Sequence, residues 1–109
     1  MLIDFNKTDE VTIPHLNNGE GEVSAKMFMR PDNKIMISRL PKGTSIGLHE
    51  HKTSSEMNYV ISGNGKAICD NEKEILTAGV CHYCPKGSSH SIINSGDEDL
   101  VLFTVVPEQ

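Results

Sequence analysis

His49 and His51 are separated by one residue, and alternate side chains of a β-strand leave the same face, so both imidazoles can reach one point. The polar break Lys52-Thr53-Ser54-Ser55 is long enough to turn the chain. Glu56 then opens the next apolar run and adds a hard carboxylate oxygen to two borderline nitrogens. Such a donor set suits a divalent transition metal, although a His-x-His pair alone also occurs as ordinary surface or core histidines. Cys81-x-x-Cys84 suggests zinc or redox chemistry, but residues three apart on a strand point to opposite faces and no second Cys pair completes a structural site. Free thiols acting as small hydrophobes are expected. His15 sits in an irregular stretch and reads as a surface residue. His82 enters the strand before Pro85. If its parity faces the cavity, it becomes a candidate base or substrate contact, since its ordinary pKa of about 6.5 allows proton transfer near neutrality.

The elements that must position these residues are strands. No segment keeps an i, i+3, i+4, i+7 apolar period over three turns, whereas short β-branched and apolar runs recur between Gly, Pro, Asn and Asp. Strands are expected at 24–29, 34–40, 45–50, 56–62, 65–69, 73–76, 81–84, 88–94 and 100–106. Turn signals separate them, among them Pro41-Lys42-Gly43, Pro85-Lys86-Gly87, and the hairpin candidates Asp70-Asn71 and Ser62-Gly63-Asn64-Gly65. Many short strands at this spacing predict an all-β sandwich or barrel. Residues 1–21 read as an irregular N-terminal arm that lies over its own sheet or pairs with a neighbouring subunit, which makes a homodimer an expectation.

With 109 residues the chain has room for one domain, and ten basic residues scattered among fifteen acids, for a net charge of -5, exclude a nucleic-acid footprint. Nucleic acid and membrane are therefore not expected partners: no run approaches the roughly 20 apolar residues of a bilayer span. The opening Met1-Leu2-Ile3-Asp4-Phe5-Asn6 lacks the pattern of a signal peptide. Together with an odd number of cysteines, three, this places the expectation in the cytoplasm.

Two spaced blocks carry a more specific signal. The first runs Gly43, five residues, His49, one residue, His51, four residues, Glu56, six residues, Gly63. The second runs Gly79, five residues, Pro85, one residue, Gly87, two residues, His90, three residues, Asn94. These blocks, 43–63 and 79–94, resemble the two motifs of the cupin superfamily, and the short segment between them resembles that of small single-domain microbial members. The resemblance spans about half the chain. It implies a double-stranded β-helix, or jelly-roll barrel, over residues 1–109. It also implies one divalent metal held by His49, His51, Glu56 and His90, with Asn94 in a structural role.

Three neutral imidazoles and one carboxylate admit Fe, Mn, Ni, Zn or Co, and an octahedral ion would keep two positions open for a chelating small molecule or O2. Candidate lining residues are Tyr59, Asn58, Met36, Arg39, Met29 and Phe103, whose facing depends on strand parity. An inward Arg39 would anchor a carboxylate. Of these, Tyr59 and Arg39 join His82 as catalytic candidates. Two function classes follow from the resemblance. One is a metal-dependent enzyme, of the dioxygenase or sugar and uronate isomerase or lyase type, acting on a small oxygenated metabolite. The other is a non-catalytic module that binds a small molecule.

Overall fold

Two antiparallel sheets close into a barrel in the computed structural model, which describes all 109 residues. The strands are β1 (Val11–Pro14), β2 (Glu22–Arg30), β3 (Asn33–Leu40), β4 (Ser45–Glu50), β5 (Glu56–Ser62), β6 (Asn64–Cys69), β7 (Glu72–Thr77), β8 (Cys81–Cys84), β9 (Ser89–Ile93) and β10 (Leu100–Pro107). Their order is β1-β2-β3-β10-β5-β8 in one sheet and β4-β9-β6-β7 in the other. This is the jelly roll that the motif pattern implied. No helix is long and apolar enough to cross a membrane.

Strand alternation divides inside from outside. On β10, Leu100, Leu102, Thr104 and Val106 are buried, while the residues between them are only partly covered. Val23, Leu40, Val60, Ala67, Leu76, Ile92, Leu100 and Leu102 form the core between the sheets. Burying a Leu, Ile or Val side chain contributes about 1.5–3 kcal/mol, so this cluster is a main source of stability.

Two expectations require correction. The N-terminal stretch is not wholly irregular: Val11–Pro14 is a strand paired with β2, from Val11↔Ala25 to Pro14↔Glu22. Its apolar residues alternate too briefly for periodicity to reveal it, and pairing to a long neighbour supplies the order. Ser62-Gly63-Asn64-Gly65 is likewise not a hairpin, because β5 and β6 belong to different sheets. Gly63, at φ +90°, carries the chain across, and a Cβ there would strike the Asp99 carbonyl. Asp70-Asn71 does make a tight hairpin between β6 and β7, with both residues at positive φ.

Candidate metal centre

A bulge on β4 aims the first two histidines. The ladder to β9 runs Ile46↔Ile92 and then His49↔His90, three steps on one strand against two on the other. Strict alternation from the inward Ile46 would bury Leu48, yet Leu48 is 69% exposed and His49 and His51 face the cavity. Gly47 sits within the bulge because the backbone of Asn17 packs directly on it, and a Cβ would collide with the Asn17 carbonyl. The Gly47 carbonyl then accepts a hydrogen bond from His49 Nδ1 at 2.7 Å. One glycine thus makes the close approach and fixes the ring.

Each remaining donor has its own support. His51 Nδ1 lies 3.1 Å from Ser54 Oγ, in the turn between β4 and β5. Glu56 begins β5, and its Oε2 accepts a hydrogen bond from Asn58 Nδ2 at 2.8 Å. Asn58 is held in turn by Thr104 Oγ1, which donates to Asn58 Oδ1 at 2.6 Å. His90, in the middle of β9, is fully buried. Its Nδ1 lies 2.9 Å from His82 Nε2, and His82 Nδ1 lies 2.8 Å from Glu74 Oε1.

With the second nitrogen of every ring engaged, the three Nε2 atoms point at one another, at 3.2 Å (His49 to His51), 3.0 Å (His51 to His90) and 3.1 Å (His90 to His49). Glu56 completes the group, with Oε1 3.4 Å from His51 Nε2 and Oε2 3.1 Å from His90 Nε2. Ligands about 2.1 Å from a metal stand about 3.0 Å apart at right angles and about 3.4 Å apart in a tetrahedron. The imidazole triangle therefore fits three adjacent corners of an octahedron. Three lone pairs turned toward one point repel unless a proton or a cation lies among them, so the donor chemistry fits a divalent ion.

The electrostatics prepare the same state. Burial pulls the His49 imidazole below its ordinary value, against the opposing hydrogen bond to Gly47, and so favours the neutral form that a ligand needs. Burial is also the largest single influence on Glu56 and would raise its carboxyl. The hydrogen bonds from His51 and His90, the charge of His90 and the Asn58 amide together outweigh it and hold Glu56 far below the usual carboxylate range. A bound cation would take the place of the protons that these imidazoles otherwise share with Glu56.

A cavity of about 290 Å³ opens beside the cluster, lined by His49, His51 and Glu56 on one wall and by β1, β2 and β3 on the other. Asn58, Met36 and Met29 line it as anticipated. Phe103, Tyr59 and Arg39 do not. Parity puts Tyr59 on the outer face, 46% exposed, and Arg39 bonds Glu10 at 2.9 Å and faces Asp99 at 3.6 Å outside the barrel. The inward carboxylate anchor considered for Arg39 is therefore absent. His82 is inward and almost wholly buried, but it stands behind His90 and makes no part of the cavity wall. Cys84 is buried and Cys81 exposed, on opposite faces of β8. His15 remains away from the cluster, with Nδ1 3.1 Å from the Gly19 carbonyl.

Sequence reasoning missed Gly47, Ser54 and Glu74. An isolated glycine inside a strand pattern was the available signal for the bulge. Nothing local marks Ser54 or Glu74, whose partners come from the tertiary fold.

Comparison with known proteins agrees with this architecture. The chain is 33% identical over 110 residues to an oxalate-binding protein of Thermotoga maritima, covering 92% of this chain and 90% of that one. The crystal structure of a predicted oxalate decarboxylase from Thermotoga maritima superposes with a TM-score of 0.93 at 26% identity over the whole of both chains. An RmlC-like cupin from Shewanella frigidimarina shares the fold alone, with a TM-score of 0.81 at 17% identity, covering 99% and 90% of the two chains. The family model for the cupin domain matches residues 36–106, and the chain belongs to the cupin family.

Proposed function

We propose that this cupin holds one divalent transition metal through His49, His51, Glu56 and His90 and uses it to bind, and then transform, a small chelating oxygenated metabolite. The observation that carries the reading is the convergence of three Nε2 atoms within 3.0–3.2 Å beside a carboxylate, on the wall of an open cavity. The Thermotoga maritima relative named for oxalate binding supports a carboxylate among the ligand's donor groups. When bound, the ion would supply Lewis-acid polarisation and, if redox-active, O2 chemistry of the dioxygenase type. The chain's own residues would orient the ligand and limit its water: Asn58 and Thr104 offer polar contacts, and Met27, Met36 and Val106 exclude solvent.

A non-catalytic binding module is the second reading, and it too draws on a specific observation. Apart from the metal ligands, Lys34 is the only titratable side chain on the cavity wall. An isomerase or lyase needs a proton acceptor at the substrate, so this lining supports O2 chemistry or simple binding over proton abstraction. The deciding experiment loads the protein separately with Fe(II), Mn(II), Ni(II), Zn(II) and Co(II), then measures binding, O2 uptake and products with oxalate, enediols, catechols, thiols and uronates. Turnover supports the enzyme, saturable binding without turnover supports the module, and absence of binding by every loaded form overturns both.

A second copy of the chain is the proposed protein partner. The outer face of the larger sheet supports it, because Tyr59, Ile61 and Tyr83 stand exposed there on adjacent strands β5 and β8. Sedimentation should give twice the 12.0 kDa chain mass, and a monomer at micromolar concentration would contradict it.

A further inference from the structure

The cavity is larger and less polar than oxalate needs, and from this we infer that the ligand is a monoanionic chelating acid with an apolar tail of about four to six carbons. The inference rests on the proposed metal site and names the class of ligand that site takes. A volume of about 290 Å³ lies near the lower end of pockets that enclose drug-sized molecules, far beyond two carbons and four oxygens. The walls are segregated. Glu56 stands on β5, and β2, three strand spacings away along the larger sheet, or about 14 Å, presents Val23, Ala25, Met27 and Met29 to the cavity from a single face. Met27 pairs in register with Met36 of β3, so flexible thioethers form the far wall.

Charge points the same way. A divalent ion with Glu56 leaves a net charge of about +1, which a single carboxylate balances. A second carboxylate would find no guanidinium, since Arg39 lies outside the barrel, and Lys34, the only basic side chain on the lining apart from the metal ligands, is exposed where water screens its charge. The test is calorimetry on the zinc-loaded protein with oxalate and a series of straight-chain 2-oxo acids from pyruvate to 2-oxooctanoate. Affinity should rise about threefold to fourfold per methylene up to a tail of about four to six carbons, as in 2-oxohexanoate to 2-oxooctanoate, and exceed that for oxalate. The variant M36N should flatten the series, removing the advantage of the longer acids over pyruvate. Oxalate binding more tightly than 2-oxohexanoate, or a flat series in the wild type, overturns the inference and leaves the metal-site reading intact. No binding by any of these acids removes both.

An independent observation, the chain from buried His90 through buried His82 to the half-exposed Glu74, assigns a positioning role to the last two residues. His90 can present the Nε2 lone pair only if its proton is on Nδ1, and that N–H then donates to His82 Nε2 at 2.9 Å. His82 consequently carries its own proton on Nδ1 and donates it to the Glu74 carboxylate at 2.8 Å. One arrangement of protons satisfies every atom. The pair also spans the gap between the sheets, His82 from β8 at the edge of one and Glu74 from β7 at the edge of the other. Hydrogen bonds of this kind fix a ligand's tautomer and increase its basicity toward the metal.

Zinc affinity by chelator competition, together with the visible spectrum of the cobalt form, tests this role. H82F should lower zinc affinity about 10–100-fold and shift the cobalt bands, and H82Q, which can both accept and donate, should recover most of both. E74Q should fall between wild type and H82F. Affinity in H82F within twofold of wild type overturns the role. If H82F does not fold, wild-type affinity in E74Q overturns it instead. Failure of the wild type itself to bind metal would remove the proposed function, not only this assignment.

Discussion

Replacing Asn94 by alanine should cost about 2–4 kcal/mol of stability while leaving the metal centre untouched. The side chain is 4% exposed, and its Nδ2 donates to the carbonyls of Leu40 and Glu98, both at 2.8 Å. Its Oδ1 accepts from the Gly96 amide at 2.9 Å. The end of β3 is thereby tied to the turn between β9 and β10. Each neutral bond is worth about 1 kcal/mol net, and a buried carbonyl that loses its donor adds about 1 kcal/mol or more. The bond to Leu40 is buried and carries that extra cost, whereas the Gly96 amide is partly exposed and water replaces its partner. Aspartate should do no better, because it keeps the acceptor, lacks the donor and sets a charge among carbonyls. Urea unfolding of the metal-free proteins should show a lower midpoint at unchanged slope. A loss below about 1 kcal/mol would refute the reasoning, as would a folded N94A that binds metal much more weakly than wild type.

Other outcomes follow from the same geometry. A thiol reagent should modify Cys81 alone in the native protein and all three cysteines in denaturant, because burial pushes the Cys84 thiol up to about 12 and also raises Cys69; modification of more than one native thiol would contradict this. In metal-free protein, the folded Glu56 carboxyl is depressed, so its contribution is complete above the unfolded value of about 4.5 and fades as pH falls below it. Wild type should therefore lose more stability than E56Q on acidification from about pH 6 to pH 3, and parallel curves would refute the assignment. R39A and Y59F should leave metal and ligand binding unchanged, and R39A should cost about 0–1 kcal/mol of stability, since its ion pairs are solvent-exposed; a tenfold loss of ligand affinity in either would return it to the site.

The His49 and His51 pair and the nearby Glu56 were legible from local spacing, whereas His90 entered the ligand set through the resemblance to the cupin motifs. His49 and His51 share a face by strand alternation, and the turns at Gly43, Gly63 and Gly87 have the positive φ that their glycines suggest. The opposite facing of Cys81 and Cys84 follows from the same alternation. What escaped depends on pairing between distant strands. The parity of Arg39 and Tyr59 is decided by which side of β3 and β5 meets the core, and a strand read alone offers both. His82 could be read as inward or outward, but not as lying behind His90, because that requires β8 and β9 to meet across the gap between sheets. Val11–Pro14 likewise gains its strand from β2 and not from its own four residues. Glu74, on a strand whose side chains are mostly exposed, resembles any solvated carboxylate until the fold brings His82 to it.

The central claim is that His49, His51, Glu56 and His90 share one cation. Equilibrium dialysis against zinc, followed by elemental analysis, tests it most directly. Wild type should retain one equivalent per chain, while H49A and H90A lose most of it with the β-sheet circular dichroism of the wild type preserved. Stoichiometric zinc in both folded variants would contradict the account.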